Sequence, residues 1–436
     1  MNQPVDRTAP VQRALVIHPT RPAEGDARDP GARLEEAVGL AMALDLKVEE
    51  ALVVPLRAVT PATLFGKGKV EELKTICEVE ELDVAVVDDA LTPVQQRNLE
   101  KAWQVKVIDR TGLILEIFAR RARTREGRLQ VELARLAYER SRLVRTWTHL
   151  ERQRGGFGFL GGPGETQIEA DRRMLAERIG KLKKELAEVR RTRGLHRKAR
   201  QRTPYPTIAL VGYTNAGKST LFNRLTGSGV MAKDLLFATL DTTLREVALP
   251  NGRPAILSDT VGFISDLPHE LIEAFRATLE EVQEADVILH VRDISNPDTD
   301  AQRADVEEVL AELGVSAESR AILEVWNKAD LVLGEDRAHL EGAARRAGAA
   351  IVSAVTGEGC EALLERLAQL VDNAPEVEVL LPHADGEAMA WLYRNGRVVN
   401  RADDGEIVRI SARLDPQALG RFERLFPEAV LKEAAQ

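Results

Sequence analysis

Residues Gly212 to Ser219 read Gly-Tyr-Thr-Asn-Ala-Gly-Lys-Ser, between the apolar run Thr207-Ile-Ala-Leu-Val and the helical run Thr220-Leu-Phe-Asn-Arg-Leu. A Gly-x4-Gly-Lys-Ser pattern between a strand and a helix constrains this chain more than any other stretch, because it commits the backbone to a phosphate-cradling loop. Gly212 and Gly217 allow the N–H groups of Tyr213, Thr214, Asn215 and Ala216 to curl toward phosphate oxygens. The helix start at Thr220 adds the positive end of a dipole. Lys218 is expected to neutralise β/γ-phosphate charge, and the Ser219 hydroxyl to ligate Mg2+. The bland alternative is an ordinary glycine-rich turn, and three further motifs downstream argue against it.

Those motifs are Asp259-Thr-Val-Gly262, Asn327-Lys328-Ala-Asp330 and Ser353-Ala354-Val-Thr-Gly, each following an apolar strand-like run. Their order and spacing match translation-factor-type GTPases. Asp259 is expected to reach Mg2+ through water, and the Gly262 amide to meet the γ-phosphate. Guanine offers two N–H donors on one edge, which the Asp330 carboxylate accepts. Adenine would leave that carboxylate unpaired, a strong discrimination. Asn327 is expected at the other edge of the base and the Ala354 backbone at its 6-oxygen. A further Mg2+ ligand must come from Leu236-Phe-Ala-Thr-Leu-Asp-Thr-Thr. Thr239, 21 positions past Lys218, is chosen, with Thr242 and Thr243 as alternatives. Lys218, Thr239 and Gly262 form the expected catalytic set.

The residue after Gly262 is Phe263, where many such enzymes carry a glutamine that orients the attacking water. Phenylalanine cannot do this by hydrogen bonding. Intrinsic hydrolysis is therefore expected to be slow, on the order of 10⁻⁴ s⁻¹, and to need help from outside. Asn215 stands where some potassium-activated GTPases hold K+, a cation able to replace an arginine finger; asparagine is equally a turn-friendly residue.

A chain of 436 residues is too long for one core. Short apolar runs alternate with helical patterns over residues 1–121, predicting a small parallel α/β domain. Within it, Gly66-Lys-Gly-Lys69 opens a helix and offers a weak phosphate-binding signal or a plain tight turn. Residues 203–373 fit a doubly wound, mostly parallel α/β nucleotide domain, and 374–436 a small α+β appendage. Two cysteines in different domains predict a reducing cytoplasm and no structural disulfide. No run is long enough to span a bilayer, leaving at most peripheral membrane association, and the N-terminus lacks a signal-peptide layout. A monomer is expected.

Residues 122–202 differ in character. From Arg120 to Arg202 there are 24 Lys and Arg against 10 Asp and Glu, a net +14 in a chain of net −9. Leu129, Leu133, Leu136, Leu143, Trp147 and Leu150 step by threes and fours, as do Ile168, Leu175, Ile179, Leu182, Leu186 and Val189. Two such helices predict an antiparallel hairpin. Its connection, Arg154-Gly-Gly-Phe-Gly-Phe-Leu-Gly-Gly-Pro-Gly-Glu-Thr, is richer in glycine than a turn needs. The functional reading is an arm that binds RNA, with Arg152 and Arg154 on phosphates and Phe157 and Phe159 stacking on bases. The competing reading is a solvated hairpin whose tip folds back.

The motif order, the glycine-rich tip, the Phe-Ala-Thr-Leu-Asp segment and the Gly-Lys-Gly-Lys-Val helix start together resemble the HflX family of ribosome-associated GTPases, over nearly the whole chain. The resemblance implies a GTP/GDP-binding enzyme whose N-terminal domain and hairpin engage the 50S subunit and its 23S rRNA near the peptidyl-transferase centre. It implies splitting of stalled or idle 70S ribosomes under heat or antibiotic stress. Two other classes fit the residues: a GTP-gated RNA or protein scaffold with little turnover, and an ATP-driven RNA remodeller using Gly66 to Lys69.

Overall fold

The computed structural model describes residues 11–21, 28–153, 163–200, 205–229, 236–237, 239–240, 242–267, 279, 281–315, 321–371, 376–414, 416–427 and 429–433. The chain divides into two compact units, one of residues 1–248 with 254–361 and one of 249–253 with 362–436.

The first unit opens with β1 (Arg13–Thr20), α1 (Pro30–Met42), β2 (Lys47–Pro55), α2 (Lys67–Val79), β3 (Val84–Val87), α3 (Pro93–Trp103), β4 (Lys106–Asp109) and α4 (Arg110–Arg121). The strands form one parallel sheet in the order β2-β1-β3-β4. The apolar runs Ala14–Ile17 of β1 and Val84–Val87 of β3 are unbroken because helices cover both faces of the sheet. Alternate residues split between two cores: Ala14, Val16, Val84 and Val86 pack with Ala37, Leu40 and Phe118, while Leu15, Ile17, Ala85 and Val87 pack with Leu73, Leu99 and Trp103. Helix starts follow the sequence chemistry. Asp29 caps α1 ahead of Pro30, and Thr92 with Gln95 forms a capping box ahead of α3.

α5 (Arg125–Gln153) and α6 (Pro163–Arg200) follow. They pack through Leu129, Leu182 and Leu186, flanked by Leu133, Leu136 and Val189, and Arg178 of α6 bonds Glu132 of α5 at 2.6 Å. The root of α5 is tied to the preceding sheet. Asp109, at the end of β4, accepts hydrogen bonds from the Tyr138 hydroxyl (2.8 Å) and from Arg142 (3.2 Å). The tip residues Arg154, Phe157 and Phe159, and the side chain of Arg152, lie outside the described residues.

The nucleotide-fold portion comprises β5 (Thr207–Gly212), α7 (Lys218–Thr226), β6 (Thr243–Ala248), β7 (Pro254–Asp259), β8 (Val287–Asp293), α8 (Thr299–Glu312), β9 (Ala321–Asn327), α9 (Glu335–Ala347) and β10 (Ala350–Ile351). Its six-stranded sheet runs β10-β9-β8-β5-β7-β6, with β6 alone antiparallel. Residues 268–278 and 280 lie outside the described residues. One buried cluster continues from Val16, Ile117 and Phe118 to Ala209, Val211, Phe263 and Ile288, so the N-terminal sheet and the nucleotide fold share a core.

α10 (Cys360–Val371) leads into the second unit, whose β11 (Glu376–Pro382), α11 (Gly386–Asn395), β12 (Arg397–Asp404), β13 (Ile407–Arg413), α12 (Pro416–Leu425) and β14 (Val430–Glu433) form an antiparallel sheet in the order β12-β13-β11-β14. Val379, Ile410 and Phe422 centre its own core. Among the described residues no helix is long and apolar enough to cross a membrane, and both cysteines are free and buried.

Candidate functional site

β5 ends at Gly212 and α7 begins at Lys218, so the intervening loop emerges at the carboxyl edge of the central sheet strands, where ligands bind in open α/β folds. Gly217 adopts φ +89, and a Cβ there would stand 2.2 Å from the Asn327 amide nitrogen, so only glycine lets these two segments meet. A cavity of about 420 Å³ opens over the loop. Thr214, Asn215, Gly217, Lys218, Ser219, Thr220, Thr239, Gly262, Asn327, Lys328, Asp330 and Ala354 all contribute to its lining. The structure thus brings together, around one space, residues that span 140 positions of sequence.

Ser219, Thr239 and Asp259 meet at one end. Ser219 Oγ donates to Asp259 Oδ2 at 2.7 Å, Thr239 Oγ1 donates to the same oxygen at 2.9 Å, and the two hydroxyls are 2.8 Å apart. Asp259 Oδ1 is buried without a hydrogen-bond partner. Three hard oxygen donors at such separations, beside an unsatisfied carboxylate oxygen, fit Mg2+, whose octahedral ligands lie about 2.9 Å apart. The other two threonines stand elsewhere. Thr242 Oγ1 is buried without a partner, and Thr243 begins β6, paired with Asp259 through backbone.

Lys218 is buried, and its ammonium donates to the carbonyls of Gly212 (3.0 Å) and Tyr213 (2.8 Å). Burial holds its pKa down at about 8, against the opposite pull of Asp259. Burial also pushes the Asp259 carboxyl above its ordinary value, opposed by Ser219, Lys218 and Thr239. Gly262 approaches the loop so closely that a Cβ would lie 3.0 Å from both Thr214 Cα and Lys218 Nζ. The neighbouring Phe263 is 1% exposed, its ring in the shared core and its backbone bonded to Gly212 and Thr214. It therefore sits away from any water in the cavity.

At the other end, Asn327 lines the cavity, as expected, and also makes two protein contacts. It donates to the Ala216 carbonyl at 2.8 Å and accepts from the Ala354 amide at 3.0 Å, so it ties the phosphate loop to the Ser353 loop. The Ala354 amide, expected at the guanine 6-oxygen, is the other half of that bond; both groups are buried, and buried amides must find partners. Asp330 lines the cavity on the turn after β9, and Lys328 pairs with Asp293 at 2.7 Å. Ser353 is buried and accepts the Thr356 amide on its hydroxyl, shaping its own loop. Asn215 is exposed at the cavity with φ +59.

Several participants carry no motif. Arg224 of α7 donates to the carbonyls of Ala354 (3.1 Å) and Val355, fixing the far loop. Tyr213 donates its hydroxyl to Glu36 of α1 and accepts from the Ser265 amide at 2.8 Å. Burial and Glu36 raise the Tyr213 pKa, keeping it a donor. Arg110 then links Glu36 (2.6 Å), Asp88 (2.5 Å) and the Ser265 carbonyl (3.0 Å), while Arg33 pairs with Asp266 at 2.6 Å. The phosphate loop and the segment after Gly262 are thus both fastened to the N-terminal sheet, by pairs 177 and 155 positions apart that no local pattern reveals.

Family models cover nearly the whole chain. They are described as GTP-binding GTPase N-terminal over residues 31–119, GTP-binding GTPase Middle Region over 121–200, 50S ribosome-binding GTPase over 207–328 and HflX C-terminal domain over 338–433. The GTPase HflX of Magnetococcus marinus is 53% identical over 413 residues, covering 94% of both chains. That of Escherichia coli is 40% identical over 390 residues, covering 89% of this chain and 90% of its own. A crystal structure of SsGBP with GDP is similar at a TM-score of 0.48 and 25% identity, over 83% of this chain and 98% of that one. With the Gly212–Ser219 loop, Ser219, Thr239 and Asp330 around one cavity, and with family models and relatives of this closeness, the chain belongs to the HflX family of GTPases.

Proposed function

We propose that the chain hydrolyses GTP slowly by itself, and that it binds the 50S subunit and its 23S rRNA through the N-terminal sheet and the basic hairpin to split or rescue stalled or idle 70S ribosomes under stress. One observation carries the reading. Asp109, at the end of the parallel sheet, bonds the hairpin through Tyr138, and the adjacent Arg110 bonds Ser265 directly and reaches Tyr213 through Glu36 of α1. A change at the γ-phosphate has a short, buried route to the RNA-binding arm.

In this mechanism Lys218 balances phosphate charge and the Gly262 amide meets the γ-phosphate. Asp330 selects guanine by accepting its N–H pair. Asn327 and Arg224 hold the base-side loops in place. Ser219, Thr239 and Asp259 would hold Mg2+, which when bound offsets charge on the β- and γ-phosphates. With Phe263 buried, no side chain at that position orients water, so turnover is expected to rise when the ribosome repositions the segments around Thr239 and Gly262.

Sedimentation of 70S particles with the protein and either GTP or a non-hydrolysable analogue tests the proposal. Conversion to 50S and 30S peaks is expected with both. Intact 70S peaks in both cases would reject splitting and leave a GTP-gated binding switch.

A further inference from the structure

We propose that Phe118 and Phe237 are positioning residues for GTP hydrolysis: an aromatic latch between the N-terminal domain and the segment before β6 that places Thr239. Phe237 is 2% exposed and Phe118, on α4, is 1% exposed. Their rings meet edge to face, with centroids 4.6 Å apart and planes at 85°. Next to them, Leu236 packs onto α1 at Gly39, where a Cβ would lie 3.2 Å from Leu236 Cδ1. A larger residue at position 39 would therefore press on this docking.

The backbone at Phe237 explains why the latch matters. Its φ is +55, in the left-handed region that a bulky aromatic residue rarely adopts. Such a conformation persists only when its surroundings over-determine it, and here what determines it is the buried socket around the ring. Thr239 follows two positions later and contacts Ser219 and Asp259 at 2.8 and 2.9 Å. Two residues of fully extended chain span at most about 7 Å. If Phe237 leaves its socket and the backbone relaxes to negative φ, the chain that carries Thr239 to both contacts is redirected two residues upstream of it. The N-terminal domain therefore completes the oxygen cluster although it contributes no ligand to it.

The inference rests on the reading of Thr239 as a Mg2+ ligand, and the experiment separates the two. Mg2+ is titrated into the full chain with a fluorescent non-hydrolysable GTP analogue and, in parallel, with fluorescent GDP, for the wild type, Phe118→Ala, Phe118→Leu and Thr239→Ala. Hydrogen exchange of residues 236–248 is followed in the same samples. Thr239→Ala should raise the half-saturating Mg2+ for the analogue, and Phe118→Ala should do the same by about tenfold, the low end of known site couplings. GDP affinity should stay within twofold, exchange over 236–248 should quicken, and Phe118→Leu, which keeps most of the ring's volume, should recover most of the wild-type behaviour. Wild-type Mg2+ dependence in Phe118→Ala beside an impaired Thr239→Ala overturns the latch alone. Wild-type behaviour in Thr239→Ala overturns the ligand reading beneath it. Equal losses for GDP and analogue, with faster exchange throughout, reduce Phe118 to a structural core residue and also overturn the proposal.

Discussion

Arg110 is an enclosed cation beside the site, 5% exposed and bonded to Asp88, Glu36 and Ser265. Burial by itself would lower its pKa, but Asp88 and Glu36 together raise it, so it stays charged. Replacing it by methionine would strand two carboxylates in the core. Arg110→Met should cost about 3–5 kcal/mol, read from the first urea unfolding transition. Asp88 supplies the pH counterpart. Burial would raise its pKa, yet Arg110 and a bond from His18 bring it down to about 2. Because the folded pKa lies below the unfolded one, the associated stability is present above about pH 4 and lost as pH falls toward 2. The linked free energy is on the order of 2 kcal/mol. Asp88→Asn should flatten the acid limb of a stability–pH curve in that window; an unaltered limb would place the acid sensitivity elsewhere.

The elements show what a sequence can and cannot announce. The strands were legible because β1, β3, β5 and β8 are buried on both faces and so each holds a short apolar run: Ala14–Ile17, Val84–Val87, Ile208–Val211 and Val287–Leu289. The four nucleotide motifs were legible because each lies within one loop at a strand end. The heptad spacing likewise predicted that α5 and α6 pair; which leucines meet, Leu129 with Leu182 and Leu186, came from the structure. Phe237 shows the limit: its identity was visible, but a left-handed φ in an aromatic residue has no sequence signal when a distant socket imposes it. Glu36, Arg110 and Arg224 were invisible for the same reason, as was the pairing of Asn327 with Ala354. The hairpin's own core is small: among the described residues its cluster holds three buried leucines. Leu182→Ala should therefore cost about 2–5 kcal/mol, confined to the hairpin. Hydrogen exchange across 125–142 and 172–189 should quicken while nucleotide affinity holds.

At the scale of the molecule, charge is divided by segment. The hairpin segment carries +14 while the chain as a whole is −9, so its affinity for RNA should depend on salt in a way that nucleotide binding does not. For roughly five phosphate contacts, association with 50S subunits should weaken about a hundredfold between 50 and 200 mM salt, as measured by co-sedimentation. A flat salt response would argue for a protein partner instead.

The core shared by the N-terminal sheet and the nucleotide fold bears also on how the chain is made. Phe118 leaves the ribosome about 120 residues ahead of Phe237, its ring partner, and Ile288 of the same core follows later still. At roughly 5–20 residues per second, the α4 face waits on the order of ten seconds, apolar and uncovered, before its cover is synthesised. During every round of translation the nascent N-terminal domain thus presents this face before its cover exists, and slow codons between positions 121 and 237 would lengthen its exposure to aggregation.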